Sequence, residues 1–268
     1  MYRHDFEAAG PVSFGPALVA AALAAFAGEH FTAGPSLALL VPGWLPGRLF
    51  IAYFVGAAHL AAAVSFVMKR YVRYSAPALA MMFGLFVLLM DLPGALRHPE
   101  VRIAWSLAAR QVTFSLGALG LYVTASRDAS SERARTIALV VRLWTAFVLV
   151  FYGIEHFIRP ELSPGVPDST PMAAWVPLPV EVSCASGFLL VACGLSMCLE
   201  KRAGRAAALA GWLMVALTAA LYVPQFFIAH TVNDRVTAIN FVFDTLLFGG
   251  MMLIDSRAVA LTVPASTG

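Results

Sequence analysis

The chain has 268 residues, of which 60% are apolar and 12% charged, and its mean hydropathy is +0.79. The charged share is about half that of a soluble domain. These figures exclude a soluble enzyme, a disordered chain and a nucleic-acid-binding domain, and the net charge of +3 comes from loop lysines and arginines rather than a nucleic-acid footprint.

A membrane-spanning helix needs about 20 apolar residues, so the chain has room for about eight. Apolar runs of that length occur at 13–32, 48–68, 75–93, 103–124, 136–157, 179–199, 206–227 and 236–255. Backbone polar groups must be satisfied inside lipid, so the runs are expected as helices. No period-2 alternation suggests a barrel. In the first run, Ala25-Phe26-Ala27 resembles a signal-peptide cleavage site. The flank before it carries Asp5 and Glu7 beside a single Arg3, and the segment has a counterpart deep in the chain. It is expected as a retained helix.

Basic residues set topology. Lys69, Arg70 and Arg73, then Arg127, Arg133 and Arg135, then Lys201, Arg202 and Arg205 fill alternate loops, with Arg3 and Arg257 at the ends. The opposite loops hold Arg48, Arg97, Arg102, Arg159 and Arg235. Eleven against five predicts both termini on the cytoplasmic side of the inner membrane.

An internal repeat runs through the chain. Glu29-His30-Phe31 and Glu155-His156-Phe157 are 126 positions apart, each closing an apolar run. A Pro-rich loop with a tryptophan follows each, at Val41–Pro46 with Trp44 and at Trp175–Pro179. An offset of 131 then pairs Gly56 with Gly187, Ser65 with Ser196, the basic loops at 69–73 and 200–205, and Pro93 with Pro224. Four helices per unit is even, so both units enter from one side. The expected fold is an all-α integral membrane protein with eight transmembrane helices, as two parallel-duplicated four-helix bundles at 1–128 and 129–268. Parallel repeats occur in some transporters.

Ionisable residues in lipid are costly and turn inward to pair. In this topology Glu29, His30, Glu155 and His156 lie near the outer face, with Asp91 at similar depth. Arg110 is about two turns into the fourth helix and His59 near the middle of the second. Glu181 opens the sixth helix, and Gln225 ends the seventh. Asn240 and Asp244, four apart, share a face of the eighth. The functional expectation is a polar pocket in the outer half of each bundle. Glu29, His30, Asp91 and Arg110 line it in the first half. Arg110 there neutralises Glu29 or Asp91, and His30 relays protons or holds a quinone carbonyl. The structural alternative ties Glu29 and His30 to loop backbone and makes Arg110 part of a structural ion pair. His59 shares a stripe with Ala52, Gly56 and Ala63 suited to close helix packing, and its counterpart is Leu190.

A b-type haem held by His30 and His156 requires the first and fifth helices to face each other. His4, His98 and His230 are expected in solvent. Cys184, Cys193 and Cys198 form no CxxC pair and no zinc spacing, and are expected as small hydrophobes; no metal site is expected. Trp44 and Trp175 are expected at the membrane–water interface, in loops forming lids over each bundle's outer end. No phosphate-binding loop, zinc-protease helix or nucleophile elbow occurs.

Gly28–Phe31, Val41–Pro46, Phe50, Tyr53, Gly56 and Leu60–Phe66, with the basic turn at 69–73 and the acid-Pro end of the third helix, resemble the DoxX-like family of small four-helix membrane proteins. The likeness covers about 18–124, and the second half resembles the same unit more weakly. The resemblance implies a tandem fusion of two units. It also implies an association with membrane redox systems such as quinol oxidase or thiosulfate:quinone oxidoreductase, and supplies no catalytic residues. The leading expectation is an accessory or quinone-associated component of such a system, in the lipid bilayer beside membrane redox proteins or as a homo-oligomer. The alternatives are a small-solute permease using a pocket between the repeats, marked by polar residues on the seam, and a b-haem protein.

Overall fold

The computed structural model describes residues 11–126, 128, 130–167 and 169–261. The expectations placed on Arg3, His4, Asp5, Glu7 and Arg127 lie outside the described residues. Eight long helical columns follow in chain order: α1 Gly15–Thr32, α2 Arg48–Val67, α3 Val72–Arg97, α4 Arg102–Ala125, α5 Glu132–Ile158, α6 Pro179–Met197, α7 Glu200–Ile228 and α8 Val232–Ala260. Six of them, all but α1 and α4, are long and apolar enough to cross a membrane. Those two carry Glu29 with His30 and Arg102, Arg110 with Gln111, which lower their hydropathy. The described residues are thus all-α, with one isolated bridge between Leu162 and Pro171, and suit a bilayer.

Five of the columns, α3, α4, α5, α7 and α8, are longer than the apolar runs. The third run was expected to end at Pro93, yet α3 continues to Arg97; the seventh, expected over 206–227, already passes Pro224, and α7 ends at Ile228. A proline inside a helix lacks an N–H and clashes with the carbonyl four residues back. Here the turn before each proline widens into a five-residue π-helical segment, Val87–Asp91 and Thr218–Tyr222, which absorbs the misfit.

Within the first four columns α1 packs on α2, α2 on α3 and α3 on α4. Among the last four, α5 packs on α6, α6 on α7 and α7 on α8 in the same order. Across the middle, α4 packs on α5, and α8 packs on α1, α4 and α5. Without a hydrophobic force between helices in lipid, close backbone approach supplies the contact. A Cβ on Gly249 would lie 3.0 Å from the Gly211 carbonyl of α7, and one on Gly250 would lie 2.8 Å from Val19 of α1. Adjacent glycines thus let α8 sit against two neighbours at once.

The two loops after α1 and α5 behave differently. Residues 33–47 lie largely at the surface, with Leu39, Leu40 and Trp44 exposed. Residues 162–167, from the loop after α5, are buried between helices.

Candidate functional site

The polar residues at the α1 exit, the α4 entry and the α8 entry converge. Arg110 Nη1 donates to Asp244 Oδ2 at 2.5 Å, and these side chains are only 16% and 15% exposed. Asn240 Nδ2 donates to Glu29 Oε1 at 3.2 Å. The Arg110 charge also acts on Asp91, and that of Glu29 on Asp244. The guanidinium thus bonds one carboxyl, that of Asp244, and stands 5.7 Å from the Phe114 ring centre. Sequence reasoning gave Arg110 to Glu29 or Asp91 within the first four helices. It pairs instead with Asp244, because α8 packs against both α1 and α4 and brings its own acid to the guanidinium. The cluster lies on the seam between the two halves of the sequence, not at the centre of the first.

His30 donates from Nδ1 to the Ala52 carbonyl at 2.8 Å, which ties the end of α1 to α2. His59 is 3% exposed, on a stripe with buried Ala52, Gly56 and Ala63. Its ring centre lies 5.6 Å from that of His30, 5.8 Å from Phe83 and 6.1 Å from Phe26. Neither of its ring nitrogens has a hydrogen-bond partner.

Glu155 and His156 repeat part of this arrangement. A Cβ on Gly56 would meet His30 Cβ at 2.6 Å and the Phe31 ring at 3.4 Å, and one on Gly187 would meet His156 Cβ at 3.1 Å and the Phe157 ring at 3.4 Å. Each histidine thus rides over a glycine of the next helix. Both His156 and Glu155 are buried. Glu155 is paired with Arg102 of α4, another link across the seam. Ser183 donates to the His156 carbonyl at 3.3 Å, and His156 Nε2 is unpartnered.

The counterpart of Asp91, 131 positions on, is Tyr222. Its hydroxyl donates to the Ser163 and Pro164 carbonyls, both at 3.2 Å, and its ring stacks on Phe241 at 5.9 Å. The Val166 N–H donates to Thr245 Oγ1 at 3.4 Å, and that hydroxyl reaches the Val166 carbonyl at 3.2 Å. The loop after α5 is therefore held on Tyr222 of α7 and Thr245 of α8, at the counterpart of Asp91. Trp44 and Trp175 are 69% and 45% exposed. The buried part of the second loop is 162–167, ahead of Trp175.

His30 packs on α2 and His156 on α6, so the pair required for a bis-histidine haem is divided between separate helix pairs. Among the described residues no group of three or more His, Cys, Asp or Glu is placed to hold a metal ion. Cys184, Cys193 and Cys198 are free thiols.

Sequence reasoning missed Asp255, which is 1% exposed. Its Oδ2 accepts from Thr145 at 3.0 Å and its Oδ1 has no partner. The signal was present: Asp255 lies eleven residues after Asp244, about three helical turns, so both face α4. Trp144 also donates to Thr113 of α4 at 2.9 Å. No family model, curated protein or solved structure matches the chain.

Proposed function

We propose that the chain is an eight-span membrane carrier of a small polar solute. It is built from two parallel four-helix repeats with cytoplasmic termini, in the inner membrane, and its site lies on the seam between the repeats. The Arg110–Asp244 pair carries this proposal, since it joins α4 of one repeat to α8 of the other. Glu29–Asn240 supports it from α1. Transporters with repeated halves bind substrate where the repeats meet. Asp244 on Arg110, with Asp91 in reach of the arginine's charge and Glu29 in reach of Asp244, leaves more acid than base in the cluster and favours a cationic or proton-coupled solute. Duplication is supported by the two π-helical segments 131 residues apart and by the matched seats of His30 on Gly56 and His156 on Gly187. The bias of eleven basic residues to alternate loops supports the orientation.

The test is charge displacement by the full chain in proteoliposomes on a solid-supported membrane, with amines, amino acids, carboxylates and sugars offered in turn. Amines are expected to give a signal that Asp244→Asn and Arg110→Gln abolish. No signal with any class, from correctly inserted protein, overturns the proposal.

A second proposal follows the DoxX-like resemblance: a quinone-associated accessory of a membrane redox system. It is favoured by His59, whose two unpartnered nitrogens lie among Phe26, Phe83 and His30, as a quinone carbonyl between aromatic walls requires. Extraction and chromatography of the purified protein should then recover quinone, and less of it from His59→Phe. Purified protein without quinone refutes this.

A further inference from the structure

Two grooves on the outer surface lie away from the seam. One, of about 440 Å³, lies between α6 and α7. Its wall is apolar, with Ala192, Cys193 and Leu209, and Ser196, Arg202 and Arg205 line it where α6 turns into α7. The other, of about 540 Å³, runs along α2 past Leu60, Ala61 and Val64 to Ser65 and Arg70. Ala61 and Ser65 are the counterparts of Ala192 and Ser196 at the 131-residue offset, so both grooves end at equivalent basic turns.

The α6–α7 groove carries unanswered positive charge. Arg202 and Arg205 are exposed, three apart on α7, and neither has an acidic partner among the described residues. The neighbouring acid, Glu200, is held by Arg142 at 3.0 Å. The first residue before α7, Leu199, offers no side-chain cap, so the N–H groups of the first turn also lack a side-chain acceptor. A helix start of this kind favours an anion. An apolar trough leading into a helix start with two arginines calls for a ligand with an acyl chain at one end and a phosphate at the other. Basic recesses between spans at the membrane surface bind anionic lipid headgroups in this way, since an arginine stem packs along apolar surface while its guanidinium reaches toward water.

We propose that the α6–α7 groove binds an anionic phospholipid, its phosphate on Arg202, Arg205 and the first turn of α7, and that the α2 groove with Arg70 is a second, weaker site. Ser196 and Ser65 stand beside the two phosphate positions. A zwitterionic lipid brings the same phosphate but offsets it with its own ammonium group, which the arginines repel, and a second copy of this chain would have to bring an acid to them.

The test is native mass spectrometry of delipidated full chain, titrated with phosphatidylglycerol or phosphatidylcholine of the same acyl length. Wild type should take up phosphatidylglycerol at least tenfold more tightly and hold up to two molecules. Arg202→Gln with Arg205→Gln should remove one of them and most of the preference, while Arg202→Lys with Arg205→Lys keeps both. Arg70→Gln should remove the weaker one. Melting curves confirm that each variant is folded, and the charge-conserving pair separates lost binding from lost fold. Equal binding of the two lipids, or a preference untouched by the glutamine pair, overturns the proposal. Efficient disulfide cross-linking of two copies through Ala192→Cys would do so as well, by giving the groove to a protein partner.

Discussion

Removing Arg110 should cost more than removing the acid it bonds. Taking away one partner of a buried ion pair costs about 3–5 kcal/mol, because an uncompensated charge remains. Arg110→Met leaves Asp244 without its cation and removes the charge that acts on Asp91, and the two bonded side chains are about 85% shielded from solvent. The low end of that range applies, about 3 kcal/mol, since the pair keeps some access to solvent. Asp244→Asn is milder. The amide oxygen still accepts from the guanidinium, and the charge of Arg110 still reaches Asp91, so the expected loss is about 1 kcal/mol. The double variant should lose less than the two single losses combined, because Met beside Asn leaves no guanidinium to be stranded. The assay is equilibrium unfolding of micelle-solubilised protein by dodecyl sulfate, followed by circular dichroism across the four proteins of the cycle. Additive losses, or a larger loss for Asp244→Asn than for Arg110→Met, would refute the pairing across the seam.

A leucine at Gly187 should separate α5 from α6. Its Cβ would lie 2.7 Å from the Gly153 carbonyl and 3.1 Å from His156 Cβ, and overpacking of this kind costs about 1–3 kcal/mol. Gly28→Leu, with nothing within 4 Å of the added Cβ, should leave the same unfolding midpoint unchanged. Tyr222→Phe withdraws the hydroxyl from the Ser163 and Pro164 carbonyls, at a cost of about 1–3 kcal/mol. Limited proteolysis should then cut at residues 162–167 faster than in wild type. Outside the helices, Arg159 beside Glu161 holds that carboxyl below its ordinary value. The folded value is the depressed one, so the pair's small contribution is present at neutral pH and lost as pH falls through that value. Carbon-13 NMR of Glu161 should show its titration moving up in Arg159→Gln.

Helix number and position were legible because apolar length is written directly in composition. Column ends were less so. Pro93 looks like a stop in one dimension, but a π-helical turn lets α3 pass it, as another lets α7 pass Pro224. The candidate residues were legible individually, since Glu29, Arg110 and Asp244 are conspicuous in apolar runs. Their partners were not, because nothing in local spacing says that α8 packs between α1 and α4. The contrast between loops 33–47 and 162–167 was hidden for a related reason. Both contain proline and tryptophan, and only the packed structure shows that Ser163 and Pro164 find Tyr222 where the first half has Asp91. Asp255 was readable from its spacing to Asp244, once α8 is treated as a continuous helix through residue 260.

The placement of α8 bears on biogenesis. The ribosome completes this helix only after more than two hundred residues have left the tunnel, yet it is the keystone between α1 and α4. Until it arrives, Arg110 is without Asp244, and Glu29 without Asn240. The early helices must therefore be sheltered, by the insertion machinery or by one another, through most of synthesis. Cutting the gene at its internal repeat would leave the first product with an open flank and a stranded arginine, not a self-sufficient bundle.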